Sequence, residues 1–180
     1  MKLNKFFIVK ILLILLNSQL VFNPIKANAA EEIKIIYGIF SRTIKVKSLK
    51  NFAEDGVSTK KLRRILKATG SPDEEIRSVL NKNFEVPITI ASKLIYSEIG
   101  NVFLTRLSSI LHPPLANDER TGMLALRASV IKGIKIGNGK INIINFFEGY
   151  PTKTVILDVN ALSKVMNKVE SISELLEFFT

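Results

Sequence analysis

Apolar and polar positions change rhythm three times along this chain. Residues 11–16 form an unbroken run, Ile-Leu-Leu-Ile-Leu-Leu, with Lys2, Lys5 and Lys10 ahead of it and Leu20-Val-Phe22, Pro24 and Ala27-Asn28-Ala29 behind. From Ile33 the period becomes two. Ile33 to Phe40 and Arg42 to Lys47 read as a hairpin turning near Gly38, with Ile44 and Val46 facing a core and Thr43, Lys45 and Lys47 facing water.

From Ser48 to Phe147 the period is helical. Ser48 is placed to cap a helix carrying Leu49, Phe52 and Ala53 that Gly56 would end, and Ser58 to cap a second that Gly70 would end. Ser71-Pro72-Asp73-Glu74 offers a capping hydroxyl, a first-turn proline and first-turn acids before Ile76, Val79 and Leu80. Pro87 opens a fourth helix with Ile88, Ala91, Leu94 and Ile95. Gly100 is expected to divide it from a fifth with Phe103, Leu107, Ile110 and Leu111, stopped by His112-Pro113-Pro114. Asn117-Asp118-Glu119 starts a sixth, whose stripe runs from Met123 through Leu126, Val130 and Ile131 to Ile134, and a short helix spans Ile141 to Phe147.

Alternation returns at Thr154 to Val159, which reads as a third strand. A last helix is expected over about 160–178, with Leu162, Val165, Met166, Val169, Ile172, Leu175, Leu176 and Phe179 at three and four spacing. A lone hairpin is marginal in water, so the third strand is expected to join it in a small antiparallel sheet packed with six to eight mostly short helices. The fold class predicted is α+β, in one globular domain over residues 30–180.

Composition sharpens the opening run. A basic n-region, a short apolar core interrupted at Asn17-Ser18-Gln19 and a small-x-small site describe a secretory signal peptide over residues 1–29, cleaved after Ala29, rather than a spanning anchor. The expected location is therefore the periplasm or the cell exterior. Residues 1–29 carry four lysines and no acid, so the formal charge falls from +10 to +6 without them. Nucleic acid is not an expected partner for an exported chain of that charge. With no Cys and one His, thiolate chemistry and a zinc knuckle are excluded, and no metal or cofactor is expected.

Candidate chemistry is sparse. No G-x-S-x-G nucleophile turn occurs, and His112, the only imidazole, is read as a cation at a helix C-terminus. Asp73-Glu74-Glu75 and Asp118-Glu119 fall in helix first turns, where negative charge favours the helix, and Gly137-Asn138-Gly139-Lys140 lacks the spacing of a phosphate loop and reads as an interhelical turn. No catalytic residue is assigned. The candidate binding surface is the helix Lys60-Lys61-Leu62-Arg63-Arg64-Ile65-Leu66-Lys67. Its Leu62, Ile65 and Leu66 share one arc, and the cations Lys60, Lys61, Arg63, Arg64 and Lys67 lie off it. Lys45, Lys47 and Lys50 would extend this patch if the hairpin lies alongside. A face of this kind suits anionic headgroups or polymer; the competing reading is a solvated face paired with nearby acids.

Tyr37-Gly38-x-Phe40-x-Arg42-x-Ile44-x-Val46, Leu49-x-x-Phe52-Ala53-x-x-Gly56, Leu126-Arg127-Ala128 and Tyr150-Pro151-Thr152-x-Thr154-Val155 together resemble a cyanobacterial secreted domain of unknown function. That domain commonly precedes an alpha/beta-hydrolase related to platelet-activating-factor acetylhydrolase. The resemblance implies an accessory module whose hydrolase is a separate partner. The leading expectation is thus an exported, non-catalytic envelope-binding module; the second is a peripheral membrane or anionic-polymer binder acting through Lys60 to Lys67, and the third is a hydrolase.

Overall fold

The computed structural model describes residues 29–68, 70–115 and 118–166. The expected signal peptide up to residue 28, and the last helix beyond Met166, lie outside the described residues.

The hairpin forms around Gly38 as predicted, but Phe40 opens the second strand instead of ending the first, and Val46 and Lys47 belong to the helix that follows. β1 (Glu32–Tyr37) and β2 (Phe40–Lys45) are antiparallel, with Ile33 opposite Ile44 and Gly38 at the turn with φ +57°. Eight helices follow among the described residues: α1 (Val46–Asp55), α2 (Lys60–Lys67), α3 (Asp73–Asn81), α4 (Ile88–Ile95), α5 (Glu98–Ser108), α6 (Glu119–Ile136), α7 (Ile143–Gly149) and α8 (Val159–Met166). Four more strands lie among them: β3 (Phe84–Glu85), β4 (Leu111–His112), β5 (Lys140–Ile141) and β6 (Thr154–Asp158).

A small sheet packed with helices is what the sequence predicts, but its strand directions are mixed rather than antiparallel. The order is β2-β1-β6-β4, with β6 parallel to β1, Ile33 beside Val155, and antiparallel to β4. Period-two patterning fixes which side chains face the core and is blind to strand direction; direction follows from the connection, here a long helical crossover from β2 to β6. β3 and β5 form a separate two-stranded ladder, with Phe84 opposite Ile141.

Several boundaries move for identifiable reasons. The helix expected from Ser48 begins at Val46, because the Val46 amide donates to the Glu31 carbonyl at 2.9 Å and needs no side-chain cap. Thr59, not Ser58, caps α2, accepting from the Leu62 amide at 3.2 Å, and α2 ends at Lys67, before Gly70. At α3 Pro72 itself occupies the cap position, with Asp73, Glu74 and Glu75 in the first turn. Gly100 does not divide helices. It lies in the first turn of α5, its amide donates to the Ser97 hydroxyl, and a Cβ there would fall 2.0 Å from the Leu94 carbonyl oxygen.

Ile110 and Leu111 leave the fifth helix for the sheet. Ile110 accepts from the Asp158 amide at 2.8 Å, and Leu111–His112 cover the free edge of β6. Ile141 belongs to β5, and the helix after it is capped at Asn142. Val159 opens α8 instead of ending the strand, since the Asp158 carboxylate accepts from the Asn160 and Ala161 amides. The Asn160 side chain in turn accepts from the Gly38 amide at 3.0 Å, tying this corner to the hairpin turn.

The core lies between one sheet face and the helices. Ile33, Ile44 and Val155 meet Phe52, Leu62, Leu126, Ile144, Phe147 and Tyr150. α6 and α7 approach to backbone contact: a Cβ on Gly149 would stand 2.7 Å from the Gly133 nitrogen and 2.7 Å from the Ser129 carbonyl oxygen, and the Ser129 hydroxyl donates to the Phe146 carbonyl. Arg127, buried on α6, donates from Nε to the Ile95 carbonyl at 3.0 Å and from Nη2 to Asn101 Oδ1, with its guanidinium 4.6 Å from the Tyr96 ring centre. It joins α4, α5 and α6 at one point. Among the described residues the buried Tyr150 hydroxyl has no hydrogen-bond partner, and burial pushes it well above the ordinary phenol range.

Two outcomes follow for equilibrium urea unfolding. Gly149→Ala, whose methyl meets backbone that cannot rotate away, loses at least about 2 kcal/mol. Arg127→Lys, which gives up the planar fork and its stacking on Tyr96, loses about 1–3 kcal/mol, and Arg127→Ala loses more.

Candidate functional site

α2 is amphipathic, with a narrow apolar edge. Leu62 and Leu66 are buried and Ile65 packs against the core, so the helix is held by one side, while Thr59 fixes its first turn. Lys60, Lys61, Arg63, Arg64 and Lys67 are all exposed. Arg63 donates from Nε to the Ser58 hydroxyl at 3.2 Å. Among the described residues, no carboxylate lies within ion-pair distance of any of the five cations. The neighbouring-acid alternative therefore finds no pairing here.

Local helix energetics oppose this arrangement. The first turn of α2 contains no acid and carries Lys60 and Lys61, at the end where the helix dipole favours negative charge. Only Arg64 and Lys67 sit at the favourable end. The charge pattern thus costs the helix stability at its own N-terminus.

The hairpin does lie alongside. A cleft of about 480 Å³ between β2 and α2 is lined by Lys45 and Lys61 together, with Thr43 and Thr59 in its walls and Glu32 opposite Lys45 in the strand register. A second cleft, of about 780 Å³, sits by the β2–α1 corner and is charge-balanced, lined by Lys45, Lys47, Lys50 and Lys153 together with Glu31, Glu32, Glu54 and Glu148. Two of these cations are committed. Lys50 Nζ is 2.9 Å from Glu148 Oε1, a hydrogen bond that holds the ammonium above its ordinary range, and Lys153 is 3.4 Å from Glu31. Lys45 joins the basic face of α2 through the first cleft, whereas Lys47 lines only the second, which holds no residue of α2; Lys50 serves as a bridge from α1 to α7 instead.

The remaining candidates are placed as follows. His112 is in strand β4 rather than at a helix end, half-buried, with Nδ1 2.9 Å from the Pro113 carbonyl oxygen. A carbonyl only accepts, so Nδ1 carries the proton, and no serine hydroxyl among the described residues bonds to this ring. Asp118 caps α6, accepting from the Thr121 amide at 2.6 Å, which lowers its pKa below the ordinary value. Gly137-Asn138-Gly139 turns from α6 into β5, and Lys140 is bound to Glu85 at 2.9 Å. No helix among the described residues is long and apolar enough to cross a membrane.

Two features escape sequence reasoning. Tyr37, Ile39 and Phe40 at the hairpin tip are 62%, 95% and 63% exposed, although the same residues read as strand interior. The signal was there in apolar residues on both sides of the Gly38 turn, where polar ones are usual. Arg127 is the second: a charged residue on an apolar helix gave no sign that its partners would be a carbonyl and an amide on two other helices.

No curated protein and no solved structure matches the chain. A family model described as an alpha/beta hydrolase of unknown function, DUF1400, matches residues 29–158, from the residue before the buried Ala30 to the end of β6, and so takes in the hairpin, the basic helix and the whole of the mixed sheet. The chain belongs to the DUF1400 family of alpha/beta hydrolases of unknown function.

Proposed function

We propose that this chain is an exported, non-catalytic module that binds an anionic surface of the cell envelope through the outer face of α2, as an accessory to alpha/beta-hydrolases. The observation that carries the reading is the set of five exposed cations, Lys60, Lys61, Arg63, Arg64 and Lys67, with no carboxylate within reach among the described residues. Each contributes about 1 kcal/mol beside an anionic bilayer, and Lys45 adjoins the same face across the cleft it shares with Lys61. No counter-charge needs to be displaced before a headgroup can approach. The export pattern of residues 1–29 supports an envelope location, with cleavage after Ala29.

The accessory role rests on the resemblance to cyanobacterial domains that precede hydrolases related to platelet-activating-factor acetylhydrolase; the family description names an alpha/beta hydrolase and ties the chain to that chemistry without assigning it the accessory part. An alpha/beta-hydrolase presents its serine on a strand-to-helix turn. Here the two junctions at which a strand passes directly into a helix read Lys45-Val46-Lys47 and Asp158-Val159-Asn160, the Asp158 carboxylate is occupied in capping α8, and the short step from β5 into α7 is capped by Asn142. Hydrolytic chemistry is accordingly assigned to an alpha/beta-hydrolase partner rather than to residues 30–166.

Co-sedimentation with vesicles containing about 30% anionic lipid tests the surface. Binding at low salt should fall steeply with added salt, and changing Lys60, Arg63, Arg64 and Lys67 together to Glu should weaken it at least about a hundredfold. Sedimentation equal to the parent's would reduce α2 to a solvated face, and binding to anionic polymer but not to vesicles would move the partner. Turnover of short-chain esters by the purified chain, kept in His112→Ala and lost on a serine change, would overturn the non-catalytic assignment.

A further inference from the structure

β2 is an edge strand: it has β1 on one side and, among the described residues, no strand on the other. Its hydrogen-bonding direction follows from the register. The Val46 amide donates to the carbonyl of its partner Glu31 at 2.9 Å, so bonded pairs recur at every second position, at Ile33 with Ile44 and at Ile35 with Arg42. Ser41, Thr43 and Lys45 lie between those positions, and their backbone amides point away from β1. Among the described residues nothing accepts from these three amides and nothing donates to the Thr43 carbonyl. The Ser41 carbonyl accepts from Arg42 Nη1 at 3.1 Å.

Sheet edges are ordinarily blunted by proline, by a bulge, by a covering element or by charge. β2 runs for six residues without proline and without a break in register, so charge is the only one of these devices it carries. Exposed Arg42 and Lys45 repel a basic chain and attract an acidic one. Beyond the edge lies the cleft of about 480 Å³, with Thr43, Ile44 and Lys45 on its near wall and Thr59, Lys61 and Leu62 of the α2 start on its far wall. Lys45 and Lys61 are both exposed, and among the described residues neither is within ion-pair distance of a carboxylate. Glu32 is the one acid in the lining.

We infer that β2 and the start of α2 form a slot for an extended acidic segment of a protein partner, which joins the sheet as a strand beside Ser41 and Thr43 and sets a carboxylate between Lys45 and Lys61. A strand added at the usual spacing of about 4.8 Å from β2 stands in the cleft. Main-chain bonds to the outward amides supply affinity, and the two lysines select the acidic side chain. A second copy of this chain suits the slot less well, because its own β2 would bring Arg42 and Lys45 to an edge that already holds them. The slot uses Lys61 but none of Lys60, Arg63, Arg64 and Lys67, so it stands whether or not α2 binds an anionic surface.

A capped seven-residue peptide of alternating valine and aspartate, titrated into the isotope-labelled protein at about 150 mM salt, tests the slot by amide exchange and chemical shift. Exchange at Ser41 and Thr43 should slow, while Arg42 and Ile44, already bonded to β1, stay as they are. Asparagine in place of aspartate should weaken binding at least about tenfold, and so should N-methylation of the peptide amides. Thr43→Pro removes an outward amide where an edge strand tolerates proline, and Lys61→Glu puts an acid in a helix first turn, so both variants should keep the parent's circular dichroism and bind at least about fivefold more weakly. Changing Lys60, Arg63, Arg64 and Lys67 together to Glu should cost less than Lys61→Glu alone. No binding at millimolar peptide overturns the inference, as does binding that leaves Ser41 and Thr43 unprotected or that Thr43→Pro and Lys61→Glu do not weaken. Equal binding of the N-methylated peptide overturns it in favour of charge attraction alone. A parent that is a dimer by light scattering, and that Thr43→Pro dissociates, overturns it in favour of a second copy.

Discussion

The contact on which the rest of the structure depends is the backbone-to-backbone approach of α6 and α7. Gly133 and Gly149 leave no side chain between the helices, and the Ser129 hydroxyl reaches across to the Phe146 carbonyl. At that distance α7 has only one position available. It sets Ile144, Phe147 and Tyr150 into the core, it holds Glu148 where Lys50 of α1 can reach it, and it launches the chain toward β6. The sheet and the helices are in this sense referenced to one seam, and any side chain inserted there is felt at Val155 and Phe52 as well as locally.

Positive charge is used in two opposite ways. Arg127 is buried and satisfied without a carboxylate, its guanidinium spending its donors on a carbonyl and an amide and its face on Tyr96. A planar, weakly hydrated cation suits that role better than an ammonium. The α2 cations are in water, with no carboxylate beside them among the described residues, and partly at the wrong end of a helix dipole. A surface with no external partner would gain from placing acids at Lys60 and Lys61. Their absence is consistent with a face whose charge is selected for something other than the stability of its own helix.

Much of the fold was legible because it depends on local chemistry. The Gly38 turn, the α2 arc of Leu62, Ile65 and Leu66, the start of α6 at Asp118 and the first-turn acids of α3 all rest on neighbours within four residues. What was not legible depends on distant partners. The start of α1 is decided by a Glu31 carbonyl across the hairpin, β4 by the open edge of β6, and the parallel direction of β6 by how the helices return the chain. Gly100 reads as a break in one dimension and proves to be a clearance in three, set by the Leu94 carbonyl. The basic residues of the candidate site were legible for the same local reason, whereas the neutralisation of Lys50 and Lys153 required knowing that Glu148 and Glu31 stand beside them.

β1 is an inner strand, yet its two neighbours reach it on very different terms. β2 arrives within a few residues through a tight turn; β6 arrives only after the entire helical region, in a register that sets Ile33 beside Val155. Closing so long a loop is entropically costly before the contact repays it, so the sheet cannot be finished by local steps. Until residues 154–158 are available, the hairpin presents one bare edge able to pair with any extended chain. A chain emerging from its N-terminus therefore has an incomplete sheet until residues 154–158 follow, and the Gly38–Asn160 bond then ties the hairpin turn to the end of the strand that covers that edge.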